Sequence, residues 1–522
     1  MKTKNSYPLY LKGIAPLLML ALNLMGQSAL SQSKQKATIP LNTVTNFDKD
    51  GKQVTRFSTV GDAIDAHDGE IALFNGVYYL YGTSYDCGFE WGNKRAPFCG
   101  FKSYSSTDMV NWTDQGFLFD AQTPLWQTRC NGNTYGCFRP HVIYNQKTEL
   151  YVLWINVYDN VSGYRVFTAK SPTGPFKEVA EPKLAVNADA PAAGLNNGDH
   201  DTFVDDDGTA YLAYTDWRTK GTIVVEKLSA DYLTGTGEVV KGITRGDTEA
   251  PGMFKRNGIY YIVYSDPNCG YCSGTGASYS TATSPLGPWS AGKKISDNSC
   301  GGQPSFVSTI KLGPGTVFLF GSDLWNNAAK NEALANYYWA PLNFNNDGSI
   351  IQMTCEQAFK IPTLYNQNGN DTTGANYKTT CDISKSIQRR QTFKVQEAGY
   401  LTFKIVTFKT GYPNAHLQLT IYKTNGLGQP SGKALGTQTI AANGVGWSPK
   451  KLKTNSEMKR IKPGNYCVVI SSATTTGCYG LAYRDSGKTN ETESYSSDGG
   501  KTFTTDPKRA LKFEWVITNS FN

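Results

Sequence analysis

Five polar residues precede five aromatic residues at nearly constant distances along the chain. The polar residues are Asp68, Arg139, Asp199, Glu249 and Gln303, and they precede Tyr79, Tyr151, Tyr211, Tyr261 and Phe318 by 11, 12, 12, 12 and 15 residues. Carboxylates that share a partly dry pocket shift each other's pKa values, so one can stay protonated while another stays ionised. Glycosidic bonds are cleaved by such an acid–base pair. The pattern predicts this chemistry if the fold brings the residues together.

The aromatic residues lie in five similar strand patterns that could bring the polar residues together. Each pattern follows a turn, as in Asn75-Gly76-Val77-Tyr78-Tyr79-Leu80-Tyr81. The five aromatic residues are separated by 72, 60, 50 and 57 residues, room for about four strands with their loops in each unit. The repetition predicts an all-β, five-bladed β-propeller. The inner strand of each blade would line the axis, so the five polar residues would share one axial pocket.

Five motifs at the expected blade starts resemble those of glycoside hydrolase family 43. They are Ala66-His67-Asp68-Gly69-Glu70-Ile71, Arg139-Pro140-His141-Val142-Ile143-Tyr144, the Asp199–Gly208 segment, Thr248-Glu249-Ala250-Pro251-Gly252-Met253-Phe254 and Gly302-Gln303-Pro304-Ser305-Phe306. The resemblance covers about residues 60–360. It implies a five-bladed propeller that hydrolyses polysaccharide linkages with inversion of the anomeric centre.

The resemblance also implies a role for each of the five polar residues. Asp68 would be the general base that activates water, and Glu249 would be the general acid that protonates the leaving oxygen. Asp199 would hold the pKa and the orientation of Glu249 in the working range. Arg139 and Gln303 would line the substrate pocket.

Several nearby residues compete for these roles. Asp65 and Glu70 are nearby carboxylates that could be the base instead of Asp68, and strand alternation places Glu70 on the same strand face as Asp68. Asp201, two residues further on, is an alternative to Asp199. The three histidines His67, His141 and His200 each stand beside an axial position, where they could bind sugar or support the structure. Aromatic platforms for a sugar ring could come from Trp126, Trp217, Trp325 or Tyr85, although core packing is the usual role of such side chains.

The motifs favour galactose as the substrate. They are most similar to the galactan-directed branches of the family. The exo-β-1,3-galactanase-like members of those branches carry Ala-His-Gly-Gly. This chain departs from that pattern because Asp68 replaces the first glycine, and the aspartate favours an ordinary base. We therefore expect an exo-acting enzyme that releases terminal galactopyranose or galactofuranose from a polysaccharide such as arabinogalactan. The alternatives within the family are an α-L-arabinofuranosidase or a β-xylosidase. The alternative from another class is a propeller that binds carbohydrate without cleaving it.

No catalytic metal or other cofactor is expected. Asp205, Asp206 and Asp207 precede Gly208, which is typical of a hairpin turn, and a structural Ca²⁺ loop is the alternative interpretation. The Cys269–Cys272 pair has no second CxxC motif and no histidine nearby, so a zinc site is not indicated.

The N-terminal residues 1–31 have the pattern of an export signal, with three lysines ahead of an apolar stretch. Export to the periplasm or the extracellular space permits disulfides. The 11 cysteines include four pairs that are close in sequence, Cys87/Cys99, Cys130/Cys137, Cys269/Cys272 and Cys467/Cys478, and we expect local disulfides there. The odd number leaves at least one free thiol.

Charge divides the remaining chain into two parts. From residue 372 onward there are 21 Lys and Arg but 9 Asp and Glu, a net charge of +12, whereas residues 32–371 carry −7. The predicted domains are a lead-in at 32–60, the propeller at 61–362, a linker at 363–376 and a jelly-roll-like β-sandwich at 377–522. The sandwich could bind carbohydrate or complete the propeller wall. We expect a monomer with a poly- or oligosaccharide substrate, no nucleic-acid partner and no membrane span in the mature chain.

Overall fold

The structure is a computed structural model, and it describes the chain from residue 40 to residue 518 with several gaps. The described residues are 40–90, 93, 95–120, 130, 136–157, 163–185, 197–268, 274–313, 315–325, 331–363, 378–454, 460–485 and 492–518. The predicted signal, Trp126, the Cys269/Cys272 pair and nearly all of the predicted linker lie outside these residues. Within the described residues, no helix is both long and apolar enough to cross a membrane.

Four antiparallel sheets of four strands and one of three strands form the propeller, and each sheet is built from consecutive strands. The first blade contains β2 (His67–Phe74), β3 (Val77–Thr83), β4 (Gly100–Ser106) and β5 (Thr113–Asp120), and it follows β1 (Leu41–Thr45). The second contains β6 (Cys137–Asn145), β7 (Leu150–Val157), β8 (Tyr164–Ala169) and β9 (Lys177–Ala180). The third contains β10 (Asn197–Val204), β11 (Ala210–Asp216), β12 (Thr222–Leu228) and β13 (Gly235–Val240).

The last two blades complete the series. The fourth contains β14 (Glu249–Arg256), β15 (Ile259–Ser265), β16 (Ala277–Ala282) and β17 (Lys293–Ser296). The fifth contains β18 (Gln303–Leu312), β19 (Gly315–Leu324) and β20 (Asn336–Pro341), and β21 (Ala358–Pro362) follows it. The described 3₁₀ turns are Trp217–Thr219, Ser299–Gly301, Glu332–Leu334 and Ala442–Gly444.

Apolar cores between neighbouring blades close the ring. Five clusters of buried side chains join blade 1 to 2, 2 to 3, 3 to 4, 4 to 5 and 5 back to 1. The last of them includes Val44 of β1 and Ile361 of β21, two strands that pair with each other. The predicted lead-in therefore supplies a strand that packs where the ring closes. Because each blade buries apolar side chains on both faces, it is stable only between two neighbours.

The inner strand of every blade is irregular at its axial end. The register of the inner strand against the next one shifts between His67 and Glu70, and the shift recurs in the other four blades. Such a β-bulge adds an unpaired residue and redirects nearby side chains. At Asp68, Arg139 and Ala250 the bulge also has a positive φ, of 56°, 58° and 55°. The bulges therefore set the direction of the polar side chains at the start of each blade.

The C-terminal region is a sandwich of two six-stranded antiparallel sheets around one apolar core. The first sheet contains β22 (Lys378–Ile383), β24 (Tyr400–Thr410), β27 (Lys450–Lys453), β29 (Cys478–Asp485), β32 (Arg509–Leu511) and β33 (Phe513–Thr518). The second contains β23 (Gln388–Val395), β25 (Leu417–Thr424), β26 (Pro430–Ile440), β28 (Gly464–Ser472), β30 (Glu493–Ser496) and β31 (Thr504–Asp506). The fold prediction of a propeller followed by a β-sandwich is confirmed.

Four disulfides connect the described cysteines. Cys87–Cys99 and Cys130–Cys137 match the predicted local pairs. The predicted pairing of Cys467 with Cys478 is wrong, because Cys478 bonds Cys381 and Cys467 is a buried free thiol. Cys381 and Cys478 belong to the adjacent strands β22 and β29. Cys300–Cys355 also joins residues that are distant in sequence.

Candidate active site

Arg139 connects four of the five blades through its contacts with Asp68, Asp199 and the Pro304–Ser305 backbone. Its side chain contacts Asp199 (Nη2–Oδ2, 2.7 Å), and its backbone N–H donates to Oδ1 of Asp68 (3.1 Å). Its Nη1 also donates to the backbone carbonyls of Pro304 and Ser305, at 3.2 and 3.3 Å. Arg139 is buried. Burial by itself would lower the pKa of Arg139, but Asp199, Asp68, Asp323 and Glu249 outweigh it and raise that pKa.

Asp68 is buried and held from three sides. Tyr85 donates its hydroxyl to Oδ2 (2.6 Å), Thr83 donates to Oδ1 (2.7 Å), and the backbone N–H of Asp68 donates to Asp323 (3.1 Å). Burial raises the pKa of Asp68 to about 7, with a smaller contribution from Asp323 and with opposition from Arg139 and the hydroxyl donors. A carboxylate with this pKa exchanges protons near neutral pH, as a general base must.

Glu249 is the first residue of the inner strand of the fourth blade. Gln303 donates its amide to Oε2 of Glu249 (3.1 Å), and the same amide contacts Asn268 (3.2 Å). Burial first, and then the neighbouring Asp199, raise the pKa of Glu249 well above its ordinary value. A glutamic acid that keeps its proton at neutral pH can protonate a leaving oxygen.

The alternative acids Asp65, Glu70 and Asp201 have their contacts outside the group of residues around Arg139. Asp65 accepts hydrogen bonds from the Ser84 hydroxyl (2.5 Å) and from the backbone N–H of Tyr85 (2.9 Å), so it supports the loop that carries Tyr85. Glu70 and Asp201 lie further along the axis, where Asp201 contacts His141 (3.0 Å). The five polar residues that precede the repeated aromatic residues, Asp68, Arg139, Asp199, Glu249 and Gln303, therefore belong to one interacting group.

The three histidines beside the axial positions are fully buried. His67, His141 and His200 are each 0% exposed. His67 stacks between Tyr85 and Tyr337 and lies within 3.6 Å of both Asp65 and Asp323. Burial opposes the protonated form, but the two carboxylates raise the pKa of His67 to about 9. These imidazole rings have no solvent-exposed surface for a sugar, so their role is to support the neighbouring residues of the site.

Glu70, His141 and Asp201 form a second buried cluster on the axis. Their possible ligand atoms all lie within 4.8 Å of one another, so the cluster has the donor types for a cation. Burial raises the pKa of Asp201 to about 8 and lowers that of His141 to about 3. The cluster borders a cavity of about 430 Å³ that follows the axis and includes Lys255 and Lys311 in its lining.

The Asp205–Asp207 loop has the geometry of a hairpin turn. Asp205 contacts Lys255 (2.6 Å) and accepts a hydrogen bond from Tyr260 (2.5 Å). Asp206 contacts Lys255 and Lys311, each at 3.2 Å. These carboxylates therefore face lysines, and the alternative of a structural Ca²⁺ in this loop remains a prediction.

Among the aromatic candidates, Tyr85 and Trp325 are part of the site. Both are buried, and Nε1 of Trp325 donates to Oε1 of Gln303 (3.2 Å). Trp217 packs at the edge of the cluster that contains them. Trp126 lies outside the described residues. The sequence predicts only a sugar platform for Tyr85, whereas in the structure its hydroxyl donates a hydrogen bond to Asp68.

Asp323 is a site residue that sequence analysis missed. It accepts from the backbone of Asp68, lies beside His67 and accepts a hydrogen bond from Ser305. It is the next-to-last residue of β19 and follows Gly321 and Ser322. A comparable Ser-Asp pair, Ser265-Asp266, ends the same strand of the fourth blade, and this repeat was the available signal.

Part of the chain is similar to known glycoside hydrolases. Residues 63–305 match the family model described as Glycosyl hydrolases family 43. The β-D-galactofuranosidase of Aspergillus niger is 30% identical over 235 residues, which cover 44% of this chain and 64% of that protein. The arabinoxylan arabinofuranohydrolase of Bacillus subtilis is 28% identical over 269 residues, which cover 43% of this chain and 49% of that protein.

A solved structure has the same fold over most of the chain. An exo-β-1,3-galactanase from Clostridium thermocellum matches with a TM-score of 0.50 at 19% identity, and the match covers 91% of this chain and 100% of that one. The part of the propeller from residue 63 to residue 305 is similar to glycosyl hydrolase family 43. The chain spans about half to two-thirds of the length of the two curated relatives.

Proposed function

We propose that this chain is an inverting, exo-acting glycoside hydrolase. Its substrates would be plant or microbial polysaccharides such as arabinogalactan, and its products terminal galactopyranose or galactofuranose. The observation that carries the proposal is the Arg139-centred group, in which Asp68 has a pKa near 7 while that of Glu249 is well above its ordinary value. This division gives one buried carboxylate for each half of acid–base hydrolysis.

In this mechanism Asp68 accepts a proton from the attacking water. Glu249 gives its proton to the leaving glycosidic oxygen, and Gln303 holds the carboxyl group of Glu249 in place. Asp199 raises the pKa of Glu249, while its ion pair with Arg139 keeps Asp199 in position. An inverting enzyme needs about 6.5–9.5 Å between acid and base, which leaves room for the water.

The role of Glu249 can be tested by separating bond cleavage from leaving-group protonation. Wild type and Glu249→Gln would be assayed for monosaccharides released from arabinogalactan, arabinan, xylan and galactofuranosides. We expect loss of the general acid to lower kcat about 10²–10⁴-fold on natural linkages. Turnover of a dinitrophenyl glycoside should fall far less, because that leaving group departs without a proton.

The matched control is Glu238→Gln, the same change at an exposed glutamate of β13, and it should behave as wild type. Equal release by wild type and Glu249→Gln would contradict the assignment of the acid. Proton NMR of the first sugar formed tests inversion, and a product with retained configuration would overturn Asp68 as a base. No release from any substrate by the wild type would favour the non-catalytic, carbohydrate-binding alternative.

A second candidate activity is removal of arabinofuranose, with xylose as a further alternative. The similarity to an arabinofuranohydrolase supports it. The same substrate panel separates these activities, because arabinose or xylose would replace galactose as the main product. We also propose that the protein is exported to the periplasm or the extracellular space, consistent with the four disulfides among its described cysteines. We further propose that it acts as a monomer.

A further inference from the structure

The half-buried side chain of Asn268 is a further hydrogen-bond partner of the Glu249 carboxyl group. Asn268 lies in the loop after β15, three residues beyond Ser265. Ser265 pairs with Glu249 across the two strands, and its hydroxyl donates to the backbone carbonyl of Glu249 (2.9 Å). The backbone N–H of Asn268 donates to the carbonyl of Asp247 (2.9 Å), two residues before Glu249. The loop is therefore tied to the chain on both sides of Glu249.

Asp266 anchors the start of this loop. Its carboxylate accepts a hydrogen bond from the hydroxyl of Ser278 (2.8 Å) and pairs with Arg245 (2.8 Å). Its backbone N–H donates to the carbonyl of Gly276 (2.8 Å). None of these partners belongs to the axial group, which is the set Arg139, Asp68, Asp199, Glu249 and Gln303. The loop is therefore an independent support for the side chain of Asn268.

Trp325 determines which end of the Gln303 amide faces Glu249. The indole N–H of Trp325 can only donate, so it faces the amide oxygen Oε1 of Gln303 at 3.2 Å. The Nε2 group of Gln303 therefore donates to Oε2 of Glu249 (3.1 Å) and to Oδ1 of Asn268 (3.2 Å). Because Oδ1 of Asn268 accepts from Gln303, the hydrogen bond from Asn268 to Glu249 comes from the Asn268 amide nitrogen.

The loop after the second strand supplies such partners in three blades. Trp325, Asn268 and Tyr85 lie directly after the second strand of the fifth, the fourth and the first blade or within two residues of it or three. Trp325 and Asn268 both stand two residues after a Ser-Asp pair. Each of the three side chains donates a hydrogen bond to a member of the axial group. Asn268 is therefore the contribution of the fourth blade to a repeated arrangement.

A hydrogen-bond donor at this position serves a general acid in two ways. Burial first, and then Asp199, raise the pKa of Glu249 well above its ordinary value, and an acid with too high a pKa transfers its proton slowly. Arg139, Gln303 and Asn268 act in the opposite direction and lower that pKa. A donor to the carboxyl group also stabilises the carboxylate that forms as the proton leaves.

We propose that Asn268 is a positioning residue for the general acid, because its amide directs the carboxyl group of Glu249 and stabilises the ionised form. The role depends on the proposed hydrolase function. In the step that it assists, the O–H bond of Glu249 breaks and the proton goes to the leaving oxygen, which keeps the electron pair of the broken glycosidic bond. The attacking water forms the new bond to the anomeric carbon and gives its proton to Asp68.

The proposal can be tested with Asn268→Ala and wild type on two substrates across pH. The substrates are the polysaccharide that the wild type cleaves, arabinogalactan in the proposed case, and the dinitrophenyl glycoside of the released sugar. Loss of the donor raises the pKa of Glu249, so the basic limb of kcat/KM on the polysaccharide should move about one pH unit higher. Near pH 7, kcat on the polysaccharide should fall about three- to tenfold, whereas turnover of the dinitrophenyl substrate should change less than about twofold.

A second variant, Asn268→Asp, separates the donor from the shape of the side chain. It keeps an acceptor for Gln303 but replaces the amide donor with a negative charge beside Glu249. Because a like charge disfavours the ionised form of Glu249, the basic limb should move further than in Asn268→Ala. Thermal unfolding would show that both variants fold.

The matched control is Asn343→Ala, the same change at an exposed asparagine that follows β20, and it should behave as wild type. If Asn268 only supported the loop, its loss would lower turnover of both substrates equally and leave the basic limb in place. That result would overturn the positioning role. Where the basic limb lies above the pH at which the protein unfolds, the ratio of the effects on the two substrates decides.

This proposal and the proposed function fail separately. A wild type without activity, or equal polysaccharide turnover by wild type and Glu249→Gln, would refute the hydrolase function or its acid. A wild type that requires Glu249 but whose activity and pH profile are the same in Asn268→Ala would refute the positioning role alone.

Discussion

At the scale of single residues, the site depends on how each buried charge is compensated. Arg139 faces several carboxylates, and hydroxyl donors from Tyr85 and Thr83 stabilise the ionised form of Asp68. Sequence position identified Asp68 and Glu249 as candidates. It did not identify the partners that set their pKa values, because these come from other strands and loops.

We predict that Tyr85→Phe moves the acid limb of the pH profile of kcat/KM to higher pH. The tyrosine hydroxyl lowers the pKa of Asp68, which is about 7 in the folded protein. Without this donor the pKa rises, so a base that must be ionised becomes active only at higher pH. A hydrogen bond to a charged group contributes about 1.5–3 kcal/mol, which corresponds to a shift of roughly one pH unit or more.

The control for this prediction is Tyr232→Phe. That hydroxyl donates to the carbonyl of Gly208 at 2.7 Å, away from the axial group. The control should leave the pH profile in place. An unchanged acid limb in Tyr85→Phe would mean that Asp68 does not set it.

We also predict that His67 makes stability depend on pH. Its pKa is about 9 in the folded protein against an ordinary value of 6.5, so the folded state binds this proton more tightly. The contribution is complete below about pH 6.5 and is lost as the pH rises through about 9, and its size is about 3 kcal/mol. Urea unfolding of wild type and His67→Gln between pH 6 and pH 10 should therefore converge as the pH rises.

His141→Gln provides the comparison, because the pKa of His141 is lowered to about 3. A histidine that is buried neutral contributes stability that is lost as the pH falls below its unfolded pKa, the opposite direction. A constant difference between wild type and His67→Gln across this range would show that His67 is neutral in the folded protein.

At the scale of elements, the bulge at the start of each inner strand decides which side chains reach the axis. Asp68 and Arg139 occupy the second position of the irregularity, whereas Asp199 occupies the third and Glu249 the first. The nearly constant spacing in sequence therefore identified the correct region of each blade. The spacing did not identify structurally equivalent positions. The residues differ in their place within the bulge, and differences in the length of the hairpin loops compensate for this, so the spacing in sequence stays nearly constant.

We predict that Gly82→Ala disrupts the first of these bulges. A Cβ atom at Gly82 would lie 2.0 Å from the carbonyl carbon of Ala66 and 2.4 Å from the nitrogen of His67. Because backbone atoms cannot move aside easily, we expect a loss of about 1–3 kcal/mol in the free energy of unfolding, with reduced kcat. Chemical denaturation and steady-state kinetics measure the two effects.

The matched control is Gly315→Ala, in the corresponding second strand of the fifth blade. A Cβ atom there would meet no atom within 4 Å. This change should alter stability by no more than about 0.5 kcal/mol. Similar losses in both variants would show that the loss at Gly82 does not come from this close approach.

At the scale of the whole molecule, the C-terminal sandwich supports the loop that holds Asp68. Asp86 follows Tyr85 in this loop, forms an ion pair with Lys450 and accepts a hydrogen bond from the backbone N–H of Ser448 (2.6 Å). Trp447 packs in the same cluster as Tyr85 and Trp325. The sandwich therefore gives structural support to the site in the propeller, in addition to any carbohydrate that the sandwich binds.

We predict that Trp447→Ala lowers kcat on a small aryl glycoside. Loss of the indole removes packing from the Tyr85 loop and should also cost about 3–5 kcal/mol of stability, as for other large-to-small core changes. Trp515→Ala is the comparison, since Trp515 packs against the sandwich core beside Phe393 and Phe513. At a temperature where both variants are folded, only Trp447→Ala should lose activity, and equal kcat in the two would remove the sandwich from the site.

The sequence alone determined the all-β class, the five-fold repeat and the region of each blade that faces the axis, because these depend on local patterns. Only the tertiary structure decided that Asp68 and not Glu70 meets Arg139, that Asp323 and Tyr85 belong to the site, and that Cys478 bonds Cys381. The physical reason is the same in each case. Bulges redirect side chains within a strand, and partners distant in the chain become neighbours only when the blades and the sandwich pack together.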